Sequence, residues 1–168
     1  LDRGFNYGDG LFETVRLDTK GGLAYLPLWS LHRQRLLDSC CRLQISLDIN
    51  RLDSSVDQIL QQAVSHNVQR ATVKIVVSRG VGGRGYLAPK SLPATLCVGL
   101  YPASVHPMAN TEVGIVLHLC QQRLSSNSLL AGMKHLNKLE YVLARSEWQD
   151  KSIAEGVLLD SDGNVVEG

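Results

Sequence analysis

Residues 131–140, Ala-Gly-Met-Lys-His-Leu-Asn-Lys-Leu-Glu, hold the most reactive arrangement in the chain. Leu136, Leu139, Val142 and Leu143 recur at helical spacing, and Asn137 with Glu140 three residues on has the form of a capping box. The segment therefore reads as an extended approach that turns into a helix, with Lys134 just ahead of the cap. Among small and apolar neighbours a lysine loses hydration, which lowers its pKa and frees a neutral, nucleophilic amine. A solvated surface lysine is the commoner occupant of any such position, so the rest of the chain has to decide.

Other groups could work with that amine. Arg35 stands beside the apolar stripe Leu36, Cys40 and Leu43 of a helix spanning about residues 30–43. It either snorkels there or offers a fixed positive charge to a phosphate. Glu167, in Val165-Val166-Glu167, shares a strand face with Val165; it needs a partner if that face is buried and faces water at a sheet edge. Gly80-Val81-Gly82-Gly83-Arg84-Gly85 matches GxGxxG after a strand, but Pro89 and Pro93 follow and no helical period does. No helix N-terminus is available for a pyrophosphate, so the dinucleotide reading fails. The segment reads as a mobile glycine-rich loop whose Arg79, Arg84 and Tyr86 suit capture of a carboxylate or phosphate. A solvated connection between strands fits the pattern as well.

The elements that must position these groups follow from periodicity. Gly8-Asp9-Gly10 turns into a strand over 11–17 with Leu11, Glu13, Val15 and Leu17 on one face, and Lys20-Gly21-Gly22 turns into residues 23–26, which pair back. Helices are expected over 30–43 and 54–65, the second burying Val56, Ile59, Leu60, Ala63 and Val64. Strands follow over 72–78, 95–101 and 113–119. The polar stretch 121–128 reads as a connection, the Lys134 helix runs to about 149, and a hairpin turns at Asp162-Gly163. The order predicts an α/β chain of the α+β type. A small N-terminal domain spans 1–119, a linker 120–130, and the start of a larger C-terminal domain 131–168.

Composition narrows the function. With 168 residues, 44% apolar, 20% charged and a net charge of +1, the chain is ordinary globular material without the basic face that nucleic acid or an anionic membrane demands. No apolar run is long enough to cross a bilayer. Cys40, Cys41, Cys97 and Cys120 form no CxxC pair and read as reduced thiols of a cytoplasmic protein. The five histidines show no ligand spacing, so no metal site is expected. The abrupt start at Leu1 and the half-begun hairpin at the end predict a piece of a longer protein.

Taken together, Tyr7-Gly8-Asp9-Gly10-Leu11-Phe12-Glu13, His32-Arg33-Gln34-Arg35-Leu36, Lys134-His135-Leu136-Asn137 and Val166-Glu167-Gly168 resemble, in order, the motifs of fold-type IV pyridoxal-phosphate enzymes. That family contains branched-chain and D-amino-acid aminotransferases and aminodeoxychorismate lyases. Ser78-Arg79-Gly80-Val81-Gly82-Gly83-Arg84-Gly85-Tyr86 and the segment from Leu130 to Glu140 are most similar to the lyase branch.

The resemblance implies a two-domain fold-type IV enzyme whose first strand and most of whose C-terminal domain lie outside this chain. It implies pyridoxal 5′-phosphate as cofactor, Lys134 as the catalytic lysine that bonds it, Arg35 on its phosphate and Glu167 on its pyridine nitrogen. Arg84 and Tyr86 correspond to substrate-carboxylate positions, in a homodimer whose Arg84 loop reaches the neighbouring active site. The implied reaction converts 4-amino-4-deoxychorismate to 4-aminobenzoate and pyruvate, a step of folate biosynthesis. The alternatives are a D- or branched-chain amino-acid aminotransferase and, from another class, a non-catalytic fragment or dimerisation module. The chain by itself is expected to be inactive, because the backbone donors that complete the family's phosphate cup would lie beyond Gly168.

Overall fold

The structure, a computed structural model, describes residues 1–89, 91–104 and 109–167. Gly168 of the last motif lies outside them. The described chain is a mixed α/β fold with two sheets, divided into two compact units.

The first unit comprises Leu1–Ser104 with Met133–Leu136. It holds α1 (Arg3–Tyr7), β1 (Gly10–Lys20), β2 (Leu23–Tyr25), α2 (Trp29–Leu43), α3 (Ile49–Ser65), β3 (Arg70–Ser78) and β4 (Thr95–Pro102). Its sheet is antiparallel in the order β2-β1-β3-β4. Strand alternation sends Leu11, Glu13, Val15 and Leu17 of β1 to one face. Opposite them stand Val77, Ile75, Val73 and Ala71 of β3, and all eight are buried. Leu36 and Cys40 of α2 and Leu52, Val56 and Ala63 of α3 are buried with them. Each aliphatic side chain fully withdrawn from water contributes about 1.5–3 kcal/mol, so this face sets the register of β1 and with it the position of Glu13.

The second helix begins earlier than its apolar period suggests. Asp48 accepts from the N–H groups of Asn50 and Arg51 and caps α3 at Ile49, while Val64, expected on the inner face, is exposed.

The second unit comprises the described residues of 105–132 and 137–168. It contains α4 (Ala109–Val113), β5 (Val116–Leu124), α5 (Leu139–Arg145), β6 (Ile153–Asp160) and β7 (Val165–Glu167). β6 lies between β5, to which it is parallel, and β7, to which it is antiparallel. Cys120, Leu124, Ala144, Trp148 and Leu158 form its core. A Cβ at Gly156 would stand 2.6 Å from Trp148 and 2.8 Å from the Cys120 sulfur, so only glycine lets that strand approach.

The units divide at 104/105 rather than at residue 119, and residues 120–124 of the expected linker are strand, with Cys120 and Leu124 turned into the core. Lys138, not Asn137, stands at the N-cap position of α5. The helix begins at Leu139 without a side-chain cap, and Glu140 accepts instead from the backbone N–H and hydroxyl of Ser125. No helix among the described residues is long and apolar enough to cross a membrane.

Candidate active site

Lys134 belongs to the first unit although it lies some thirty residues beyond the rest of it in sequence. The edge of β1 not taken by β3 carries β2 at one end and Lys134–Leu136 at the other. The Phe12 N–H donates to the Lys134 carbonyl at 2.8 Å, the Leu136 N–H to the Gly10 carbonyl at 3.0 Å, and Leu11 bridges His135. These bonds hold the lysine in extended backbone ahead of its helix, as its sequence setting suggests. The half-buried side chain places Nζ 4.7 Å from the centre of the Phe12 ring, a cation–π distance.

The next residue of β1 fixes the arginine. Glu13 is fully buried, and both its oxygens are occupied by α2. Arg35 donates from Nε to Oε1 at 2.6 Å and from Nη2 to Oε2 at 2.6 Å, while His32 Nδ1 lies 2.8 Å from Oε2. An ionised carboxylate only accepts, so the His32 proton sits on Nδ1. His32 and Arg35 are three residues apart on one helical face, which is why a single carboxylate meets both. Burial pushes the Glu13 carboxyl up, but the bonds from Arg35 and His32 overcome it and hold the group below the ordinary carboxylate range. The Arg35 side chain remains 45% exposed, and Nη1 takes no part in the pair.

Glu167 lies in the second unit, opposite Leu158 on exposed strand β7. Its Oε2 accepts from the Tyr141 hydroxyl at 2.6 Å. Burial and that bond push the Tyr141 phenol upward, so it stays a donor throughout the working range. Lys138 Nζ stands 3.7 Å from the centre of the same ring.

The glycine-rich segment joins β3 to β4 with no helix among its described residues. Arg84 and Tyr86 both lie on it and both are exposed. Arg79 does not join them as a ligand-binding group. Its Nε donates to Asp9 Oδ2 at 2.7 Å and its Nη groups to the carbonyls of Leu43 and Gln44 at 2.8 and 2.9 Å, so it is committed to the fold. Nor is the loop loose at its base. Gly80 adopts φ +94°, and a Cβ there would meet the Pro93 carbonyl oxygen at 2.2 Å.

Sequence reasoning singled out Lys134, Arg35, Glu167, Arg84 and Tyr86 but passed over Glu13, His32 and Tyr141. Two signals could have found the first pair: a carboxylate in an otherwise apolar strand face must have a partner, and His32 with Arg35 supplies two donors on one helix turn. Tyr141 had no comparable signal.

Lys134 and Arg35 lie in the first unit and Glu167 in the second; an amine, a guanidinium edge and a carboxylate are the residue types that an aldehyde-bearing phosphorylated pyridine requires. The class follows from fold and residues together. Residues 10–168 match the model of amino-transferase class IV proteins, and the chain belongs to that family. Its members use pyridoxal 5′-phosphate. The chain is 35% identical to the aminodeoxychorismate lyase of Vibrio harveyi, covering 99% of this chain and 58% of the relative. It superimposes on the 4-amino-4-deoxychorismate lyase of Pseudomonas aeruginosa with a TM-score of 0.80 at 40% identity, over 99% of this chain and 58% of that one. The branched-chain amino acid aminotransferase of Escherichia coli shares the fold, with a TM-score of 0.74 at 20% identity over 99% and 55% of the two chains. The chain thus spans a little over half the length of the proteins it matches.

Proposed function

We propose that this chain forms part of a pyridoxal-phosphate-dependent lyase that converts 4-amino-4-deoxychorismate to 4-aminobenzoate and pyruvate. The observation that carries the reading is Lys134, locked by its carbonyl to β1 with its amine over the Phe12 ring. The lyase names of two relatives support the choice of reaction.

The cofactor supplies an electron sink for the carbon that bears the substrate's nitrogen. Lys134 would hold it through Nζ, would move the proton from that carbon while the substrate amine occupies its place, and would take that place back as 4-aminobenzoate leaves. Arg35 binds the phosphate through the guanidinium edge that Glu13 leaves open. Glu167 would accept from the pyridine N–H and so favour its protonated form. With the proton gone, the neighbouring enolpyruvyl C–O bond breaks and the ring becomes aromatic. The departing enolpyruvate takes up a proton at its methylene carbon to become pyruvate, which balances the proton that Lys134 removed. Arg84, flanked by Tyr86, binds a substrate carboxylate. We also place that loop at the neighbouring active site of a homodimer, acting in a reducing compartment such as the cytoplasm.

The deciding assay supplies 4-amino-4-deoxychorismate and pyridoxal phosphate to the intact protein with no 2-oxo acid acceptor. Equimolar 4-aminobenzoate and pyruvate support the lyase. Turnover that requires an acceptor makes it an aminotransferase, the reading the shared fold also allows. For the dimer, mixed Lys134→Ala and Arg84→Ala subunits regain activity only if Arg84 serves its neighbour.

A further inference from the structure

The 79–94 connection between β3 and β4 carries no helix or strand among its described residues and is long for such a loop, a length usually reserved for function. Nevertheless it is stitched to the first turn of the chain. Asp2 Oδ2 accepts from the hydroxyls of Ser78 and Thr95 at 2.8 and 2.7 Å, closing the base from both sides. The Arg3 N–H donates to the Gly80 carbonyl at 2.9 Å, and Asp2 bridges Val81. The side chain of Arg3 then continues outward along the loop. Its residue is only 2% exposed, which is unusual for arginine, and every edge of the guanidinium is used. Nε donates to Asp9 Oδ2 at 2.9 Å, Nη1 to the Gly85 carbonyl at 3.0 Å and Nη2 to the Tyr86 carbonyl at 3.0 Å. Asp9, shared with Arg79, fixes the other end of that fork.

Tyr7 completes the clamp. Its ring centre is 4.8 Å from the Arg3 guanidinium, its hydroxyl accepts from the Gly85 N–H at 3.1 Å, and its ring meets that of Tyr86 edge-on at 5.7 Å. Gly85 is thereby held at both its N–H and its carbonyl. A Cβ on Gly82 would stand 2.7 Å from Arg3 Cδ, so the loop lies directly on the arginine stem. The next backbone anchors after Gly82 are Gly85 and Tyr86, and Arg84 is the residue immediately before them.

We propose that Arg3, braced by Asp9 and assisted by Tyr7, is a positioning residue for substrate recognition: it fixes the backbone at Gly85 and Tyr86 and so presents Arg84 to a carboxylate of the substrate. This rests on the reading of Arg84 as a carboxylate-binding group. A forked guanidinium is needed because two carbonyls must be reached from one buried stem, and a lysine ammonium cannot do that while still pairing with Asp9.

The test uses the intact protein that carries this chain, with Arg3→Lys, Tyr7→Phe and Arg84→Gln. Loss of one hydrogen bond to a charged donor is worth about tenfold, so Arg3→Lys should speed amide exchange across residues 83–87 and raise KM by about that factor. Its kcat and its affinity for added pyridoxal phosphate should stay within about twofold of wild type. Tyr7→Phe, which removes one hydroxyl and keeps the ring, should show both effects at about threefold; it decides the matter if Arg3→Lys does not fold. Unchanged exchange in the loop, or faster exchange with unchanged KM while Arg84→Gln raises KM, overturns the role given to Arg3. An Arg84→Gln protein with unchanged KM removes the carboxylate reading of the loop, and the role of Arg3 with it.

Discussion

Glu13 and Arg35 meet through a two-pronged bond in which the carboxylate is fully buried and the guanidinium is half-exposed. The arginine therefore emerges from the core with its torsions set, and its free edge is aimed by the strand rather than by solvent. Such an arrangement lowers the ordering cost of binding an anion.

Glu13→Gln should weaken this aim more than it disturbs the fold. The amide cannot accept at both positions, and the expected rise in the dissociation constant for pyridoxal phosphate is about tenfold, with a loss of about 2 kcal/mol in stability. Absorbance titration and thermal melts measure the two separately. An unchanged cofactor affinity would show that Arg35 acts without its carboxylate.

The same pair gives a pH signature. Glu13 binds its proton less readily in the folded protein than in the unfolded chain, because Arg35 and His32 outweigh the effect of burial. Its contribution is thus complete above the unfolded glutamate value of about 4.3 and disappears as the pH falls through the lower folded value. The acid limb of a Tm-versus-pH curve should be shallower in Glu13→Gln than in wild type below about pH 4.3. Coincident limbs would mean that Glu13 titrates normally.

How far these contacts could be read from the chain depends on their range. The alternation Leu11, Glu13, Val15, Leu17 was legible because one face of β1 is buried and a strand has only two faces. Lys134 was legible too, since the apolar period that begins near Leu136 leaves it ahead of the helix. The partners were not. Arg35 and Glu13 are 22 positions apart and meet only once α2 lies across β1. β5 was misplaced because residues 113–115 are apolar like a strand, whereas α4 ends at Val113 and Gly114 turns the chain with φ +86°. The residues that anchor β5 inside, Cys120 and Leu124, are separated by a polar run that hid them.

Tyr141 and Glu167 form the second pair whose removal has a readable effect. Glu167→Gln should slow turnover by about two orders of magnitude, roughly 3 kcal/mol, if it stabilises the protonated pyridine nitrogen. Tyr141→Phe deletes only the hydroxyl that donates to Glu167, and a loss of about tenfold in kcat is expected. Two variants with wild-type kcat would assign the pyridine nitrogen another partner.

The cysteines test the burial pattern directly. Burial pushes the Cys40 thiol up to about 11 and raises that of Cys120 as well, whereas Cys41 and Cys97 are exposed. Alkylation of the native protein near pH 8, read by peptide mass, should modify Cys41 and Cys97 and spare Cys40 and Cys120 until denaturant is added. Rapid labelling of Cys40 in the native state would contradict the packing of α2 against β1, and a disulfide would contradict the reducing compartment.

The assignment of Lys134 is tested most directly by trapping the bond it is said to form. Pyridoxal phosphate is added to the intact protein, the mixture is reduced with borohydride, and the phosphopyridoxyl group is located by peptide mapping. The expected result is one labelled lysine, Lys134, in a Lys134→Ala-sensitive product. Label at Lys74, whose Nζ is also near the Phe12 ring at 5.6 Å, or at Lys138 beside Tyr141, would contradict the site.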